Sequence, residues 1–167
     1  MLGMAQDHIT PASAIRTARD IDAPSHPAVC EIFDYWNDKR GPRRMPSRAD
    51  IDPIELRRLV HHVVLYDVVE PGRLYRVRLV GSAIVDFYGV NATGAWAGSH
   101  MPPASAAQMI EILTSVVAGR APRLRAGLAH WHADKSYRSY EACFLPLSSD
   151  GEHVDKILAG IGFDTAG

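Results

Sequence analysis

The sequence predicts an α+β domain built on one antiparallel sheet, and three observations predict it. Val63–Val69, rich in β-branched residues, and Leu74–Val80, where Tyr75, Val77 and Leu79 alternate with Arg76 and Arg78, flank the turn signal Glu70-Pro-Gly72 and read as a hairpin. Between residues 105 and 119, Met109, Ile112, Leu113, Val116 and Val117 form an apolar stripe at helical spacing. Strand-like segments then run from Leu124 to about His132, from Tyr137 to Leu147 and from Lys156 to Phe163. Turn signals at Asp134-Lys-Ser136 and Ser148-Ser-Asp-Gly151 divide them. The expected architecture is a five-stranded antiparallel sheet with helices on one face, preceded by an N-terminal amphipathic helix.

Each element has a local cause. Residues 1–26 mix Pro, Ala, Ser, Asp and Arg without periodicity and read as a flexible N-terminal tail. From Pro27 the pattern changes: Val29, Ile32, Phe33 and Trp36 share one helical stripe, with Pro27 at the start and Gly41 as the stop. That stripe must bury itself against the chain's own sheet or a second subunit, which makes these four residues the candidate interface of a homodimer. Asp52-Pro-Ile-Glu55 reads as a capping box opening a short helix to about Val60. Residues 27–61 are therefore helices and linker, and residues 62–164 the sheet domain. After Gly81, Ile84, Phe87 and Tyr88 predict a short helix. Ser105-Ala-Ala-Gln108 reads as a second capping box, Gly119 as a helix stop, and Pro122 as a bar to resumption.

Composition narrows the function classes. At 167 residues the chain buries one sizeable core, and a net charge of -1 gives no global attraction to nucleic acid or anionic membrane. Arg40, Arg43, Arg44 and Arg48 read as a solvated loop. The two cysteines, Cys30 and Cys143, lie among apolar residues and read as buried free thiols of a reducing compartment. No secretory signal and no membrane span are apparent, so a cytoplasmic location is expected.

The segments Arg44–Pro53, Leu65–Val68, Tyr75–Gly81 and Asp86–Gly94, with Tyr35 and Trp36, carry a resemblance. The chain resembles a bacterial family of small stand-alone PAS-like proteins with a leading amphipathic helix, over roughly residues 27 to 164. The resemblance implies a sheet and a helical face enclosing a cavity used for ligand sensing or protein contact. It implies no catalytic residues. Haem-bearing relatives place an axial histidine on the long helix, which has none here; His100 precedes it and is displaced. Flavin photoreceptors of this kind carry a reactive cysteine that Gly89-Val-Asn-Ala-Thr-Gly94 lacks. No haem or covalent-flavin motif is present, and a small organic ligand is the cofactor class left open.

The candidate pocket lies between the long helix (Met109, Leu113, Val116) and the sheet (Leu128, His130, Phe144). Tyr88, Trp96, His132 and Tyr140 are its further lining. On a strand, His130 and His132 share a face with Leu124, Ala126 and Leu128, taken as the core side. A metal there needs a third ligand, with His61, His62 or Glu141 as candidates, and no metal is expected. Arg76 and Arg78, with Arg123 and Arg125 on a second strand, suggest a basic stripe on the outer sheet face, or else a solvated or buttressed face. Gly160-Ile-Gly162 is too short to cradle phosphate and reads as a close-packing site.

Two readings follow. In the first, a sensory module binds a small ligand in its core and relays occupancy to an unknown downstream signalling protein. In the second, a ligand-free adaptor acts by dimerisation alone. The first calls for a cavity of roughly a few hundred Å³; the second calls for Met109, Leu113 and Phe144 to close it. An enzyme, for which Asp86 or His130 would be the pocket acid or base, is a distant third: no nucleophile motif appears.

Overall fold

The computed structural model describes residues 18–129 and 138–164. Its strands are β1 (Arg19–Asp20), β2 (Val63–Glu70), β3 (Leu74–Val80), β4 (Arg123–Leu128), β5 (Ser139–Leu147) and β6 (Lys156–Phe163). Its α-helices are α1 (Pro27–Arg40), α2 (Ser82–Tyr88) and α3 (Pro103–Gly119). One antiparallel sheet holds all six strands in the order β1-β4-β5-β6-β2-β3. The expected α+β class holds, with one strand more than expected.

That strand is the first correction. Residues 19–26 are not part of a flexible tail: Arg19 and Asp20 pair with Ala126 and Arg125 of β4, and Ile21 N–H donates to Leu124 O. Two residues carry no periodicity, so nothing in the local pattern announces a strand whose anchors all lie more than a hundred residues away.

Strands β5 and β6 are buried almost end to end, because both their faces are covered. α1 packs across one face. Val29 and Ile32 are fully buried there and Trp36 nearly so. Trp36 also donates its indole N–H to Pro146 O at 2.9 Å. Burying each such side chain is worth about 1.5–3 kcal/mol. The candidate dimer interface is therefore corrected: Val29, Ile32 and Trp36 are spent within the chain, with Phe33 partly buried beside them.

Gly160 and Gly162 make this approach possible, as expected. A Cβ on Gly160 would stand 2.8 Å from Ile32 Cδ1, and one on Gly162 would stand 2.3 Å from His26 Nδ1. His26 caps α1: its Nδ1 accepts from Ala28 N–H at 3.2 Å, which leaves Nε2–H to donate to Phe163 O at 3.3 Å.

α2 and α3 cover the other face. In α3, Leu113 and Val116 are fully buried, and Tyr75 and Thr114 hydroxyls meet at 2.9 Å. The helix starts at Pro103, two residues before the expected capping box, so Ser105 and Gln108 lie inside it. It closes through Arg120 at φ 50°, a left-handed position held by a non-glycine residue. The helix expected at 52–60 does not form; the segment runs as turns into a 3-10 turn at Val60–His62. Asp52 does accept from Ile54 N–H at 2.8 Å. Glu55, however, is drawn away to the Tyr35 hydroxyl at 2.8 Å and Lys39 Nζ at 2.7 Å, so the box is never completed.

Gly162→Ala should displace the His26 ring and lower stability by about 1–3 kcal/mol. Urea unfolding of the two proteins measures this, and an unchanged midpoint would contradict the close packing described.

Candidate functional site

The alternation of β5 organises the site. Cα partners across the sheet share a face, so Ala142 stands beside Arg125 and Ile161, and Phe144 beside Arg123 and Ala159. These residues, with Tyr140, look toward α3. Glu141 and Cys143 look toward α1, beside Ala126, Leu124 and Gly160.

On the α3 side lies a cavity of about 50 Å³. Its floor is Tyr140, Ala142, Phe144 and Ile161; its roof is Ser105, Gln108, Met109 and Ile112 of α3, with Tyr88, Met101 and Arg125 at the margins. Ser105, Gln108, Met109 and Ile112 recur at helical spacing, so one face of α3 forms the roof. Tyr88, Met109, Tyr140 and Phe144 thus line the cavity together, as candidates drawn from the sequence.

Other candidates sit elsewhere. Leu113 and Val116 fill the dry core beyond the cavity. Trp96 is 40% exposed under the Arg76 guanidinium, whose carbon lies 4.2 Å from the indole centroid. Leu128 is 37% exposed and lies on the opposite face, near Ser25 and Glu141. His130 and His132 lie outside the described residues. Glu141, His61 and His62 are each engaged elsewhere: His61 with the Ser82 hydroxyl at 2.7 Å, and His62 with Ile161 O at 3.1 Å. Among the described residues, no group of three or more His, Cys, Asp or Glu is placed to hold a metal ion.

The arginine stripe is also corrected, twice over. β3 is an edge strand and is separated from β4 by β5, β6 and β2, so their arginines do not adjoin. β4 moreover presents its arginines inward: Arg123 reaches Ser115 Oγ of α3 at 2.8 Å, and Arg125 borders the cavity. Leu124, taken for the core side, faces α1. Alternation defines two faces but cannot say which is inner when both are covered. Arg78 and Lys156 flank Asp67, at 3.2 and 2.6 Å, on the face that Leu147 shares with Glu141 and Cys143.

Electrostatics at the cavity are one-sided. Asp20 accepts from Arg123 Nη2 with both oxygens at 2.9 Å, while Arg125 Nε is 3.7 Å from Asp20 Oδ1. Burial raises the Tyr140 phenol above its ordinary value, and the nearby Arg125 charge offsets part of that rise. Burial alone lowers the His100 imidazole, whose ring meets Tyr88 edge-on at 5.3 Å.

Across the strand, Glu141 ties α1 down. Its carboxylate accepts from Ser25 N–H at 2.6 Å, the Ser25 hydroxyl at 2.7 Å and His26 N–H at 3.0 Å. Three donors satisfy a carboxylate that is nine-tenths buried. A cavity on one face of β5 and a docked helix on the other are thus one residue apart.

A family model described as PAS domain matches residues 24–161. The chain belongs to the PAS domain family. Among solved structures, the PAS domain of BvgS from Bordetella pertussis aligns at 23% identity with a TM-score of 0.52, over 70% of this chain and 89% of that one. An RNA-binding light-oxygen-voltage receptor aligns at 15% identity with a TM-score of 0.44, over 70% of this chain and 35% of its own length. A search of proteins with curated function gave no match. PAS domains are as a class signal-sensing and regulatory modules rather than catalysts. No helix among the described residues is long and apolar enough to cross a membrane.

Two expectations follow from this geometry. Glu141→Gln replaces a charged acceptor of three hydrogen bonds and should cost about 1–3 kcal/mol, with faster amide exchange at residues 25–30; unchanged exchange there would show that the carboxylate does not hold α1. Burial pushes the Cys143 thiol up to about 12 and raises the Cys30 thiol as well. At pH 8 the thiolate that reacts is therefore scarce. The native protein should leave Cys143 unmodified by a disulfide reagent that titrates both thiols once the chain is unfolded. Prompt native modification of Cys143 would contradict its burial.

Proposed function

We propose that this PAS domain senses a small molecule in the cavity beneath α3 and relays occupancy through β5 to α1. The observation that carries the proposal is the alternation of β5, with Tyr140 and Ala142 at the cavity and Glu141 and Cys143 against the helix. A ligand wedged between α3 and Ala142 shifts β5, and the Glu141 carboxylate moves with it. Ser25 and His26 follow because their hydrogen bonds end on that carboxylate. The exposed side of α1, with Glu31, Asp34 and Asp38, is where a downstream protein would read the change. Such a ligand shifts the equilibrium only by its differential affinity for the two positions of α1.

A second reading has an observation of its own. At about 50 Å³ the cavity is far below the size of pockets that hold drug-sized ligands. Leu113 and Phe144 are buried and Met109 packs beside them, as a ligand-free adaptor requires. The difference lies in whether the cavity has a tenant, and in whether α1 responds to it.

Filling the space tests both at once. Ala142→Leu adds side-chain volume on the cavity floor without touching α1. Hydrogen exchange should then change at residues 25–36, with native mass spectrometry of the unaltered protein reporting any bound molecule. Unchanged exchange across α1 in a folded Ala142→Leu protein, together with a clean apo mass, would favour the adaptor.

A further inference from the structure

We propose that the cavity is a site for a short-chain carboxylic acid, its carboxylate held by Arg125 and its tail by Ile112, Phe144 and Ile161. This rests on the small-ligand function proposed above and names the class of molecule.

Arg125 leaves β4 on the cavity side with its side chain only 14% exposed. A guanidinium so withdrawn from water needs acceptors for its N–H groups. Among the described residues, Arg125 Nε is buried and has no hydrogen-bond partner. The carboxylate that faces it, Asp20, stops at 3.7 Å and turns both oxygens to Arg123. Among the described residues one carboxylate therefore answers two guanidiniums, which leaves a positive charge over at the cavity margin. No Asp or Glu is among the described residues that line the cavity. The complement of this arrangement is an anion, and the planar guanidinium fits a carboxylate.

Size and lining narrow the class. A single water needs about 10–15 Å³ of such space, so the cavity as it stands admits about three to five heavy atoms in contact, the size of acetate or propionate, and butyrate is one methylene larger. Met101 and Met109 at its edge are adaptable side chains that accommodate a further methylene. Apart from Arg125 the floor and inner roof are largely apolar. Ser105, Gln108 and Tyr140 are further polar side chains of the lining, but an inorganic phosphate would set charged oxygens against Ile112, Phe144 and Ile161, which a hydrocarbon tail meets instead.

The test is calorimetric titration of the full chain with sodium butyrate, with butyramide as the neutral probe of similar shape, and with inorganic phosphate. Butyrate should bind at least about tenfold more tightly than butyramide, the increment expected for a charge-assisted hydrogen bond withdrawn from water. Arg125→Gln should abolish that preference, and Arg125→Lys should keep part of it. Circular dichroism establishes that each variant is folded; should Arg125→Gln fail to fold, the three probes on the unaltered protein decide alone. Butyramide binding as tightly as butyrate would overturn the anion site and leave the small-ligand function standing. Phosphate binding more tightly than butyrate would overturn the carboxylic-acid class. Binding of none of the three would overturn the carboxylate site, and a clean apo native mass beside it would remove the small-ligand function too.

Discussion

Strands β5 and β6 are covered on both faces over almost their whole length, and the rest of the molecule is arranged around that constraint. Every side chain along them must meet either α1 or the α2–α3 layer. The two layers make opposite demands. Toward α1 the sheet must be low, so Gly160 and Gly162 stand where a Cβ would strike Ile32 and His26. Toward α3 the sheet carries Ala142, Phe144, Ile157 and Ile161, and the small Ala142 leaves the gap that becomes the cavity. Close packing elsewhere makes that gap significant: interiors rarely leave space without a reason in shape or polarity.

Anchoring α1 takes more than its apolar stripe. Val29, Ile32 and Trp36 supply the adhesion, yet burial alone is non-directional and would tolerate small slides of a helix along a sheet. Direction comes from polar contacts at both ends. Glu141 and Phe163 O fix the N-terminal end through Ser25 and His26, while the Trp36 indole fixes the C-terminal half on Pro146 O. Because these acceptors belong to β5 and β6, a helix held this way cannot ignore displacement of those strands. That is the physical content of the proposed coupling: a shared strand, with hydrogen bonds that would lengthen if it moved.

Much of this frame was legible in the sequence. Periodicity placed α1 from Pro27 and the stripe of α3, and turn signals divided the last three strands; the burial of β5 and β6 on both faces was not read from the sequence, because it depends on where α1 packs. What failed did so for identifiable reasons. Asp52-Pro-Ile-Glu55 has a valid capping pattern, but Tyr35 and Lys39 of α1 compete for Glu55, and the Tyr35 hydroxyl accepts from Asp52 N–H. Arg125 was assigned outward because arginine is seldom buried. Its inward orientation depends on register with Ala142 and on Asp20, which no local pattern can report. The four-residue interface was half legible: the stripe existed, and what covers it was decided by Gly160 and Gly162, small residues whose meaning appears only once the helix is placed against them.

The same arginine bears on the choice between sensor and adaptor. A closed adaptor core gains nothing from an inward guanidinium, since an apolar residue of similar volume would pack without the desolvation cost. A binding site does gain, because the cost of leaving Arg125 Nε–H without a hydrogen bond is returned when an anion arrives. Cavity volume alone points toward the adaptor, and the unmatched charge points away from it. The two are compatible only for a ligand that is both very small and negatively charged. Large ligands are excluded by Phe144 and Ile112, and small neutral ones would leave Arg125 as they found it. A core that is nearly full can therefore still be a sensor, provided that what it senses is recognised mainly through one charge.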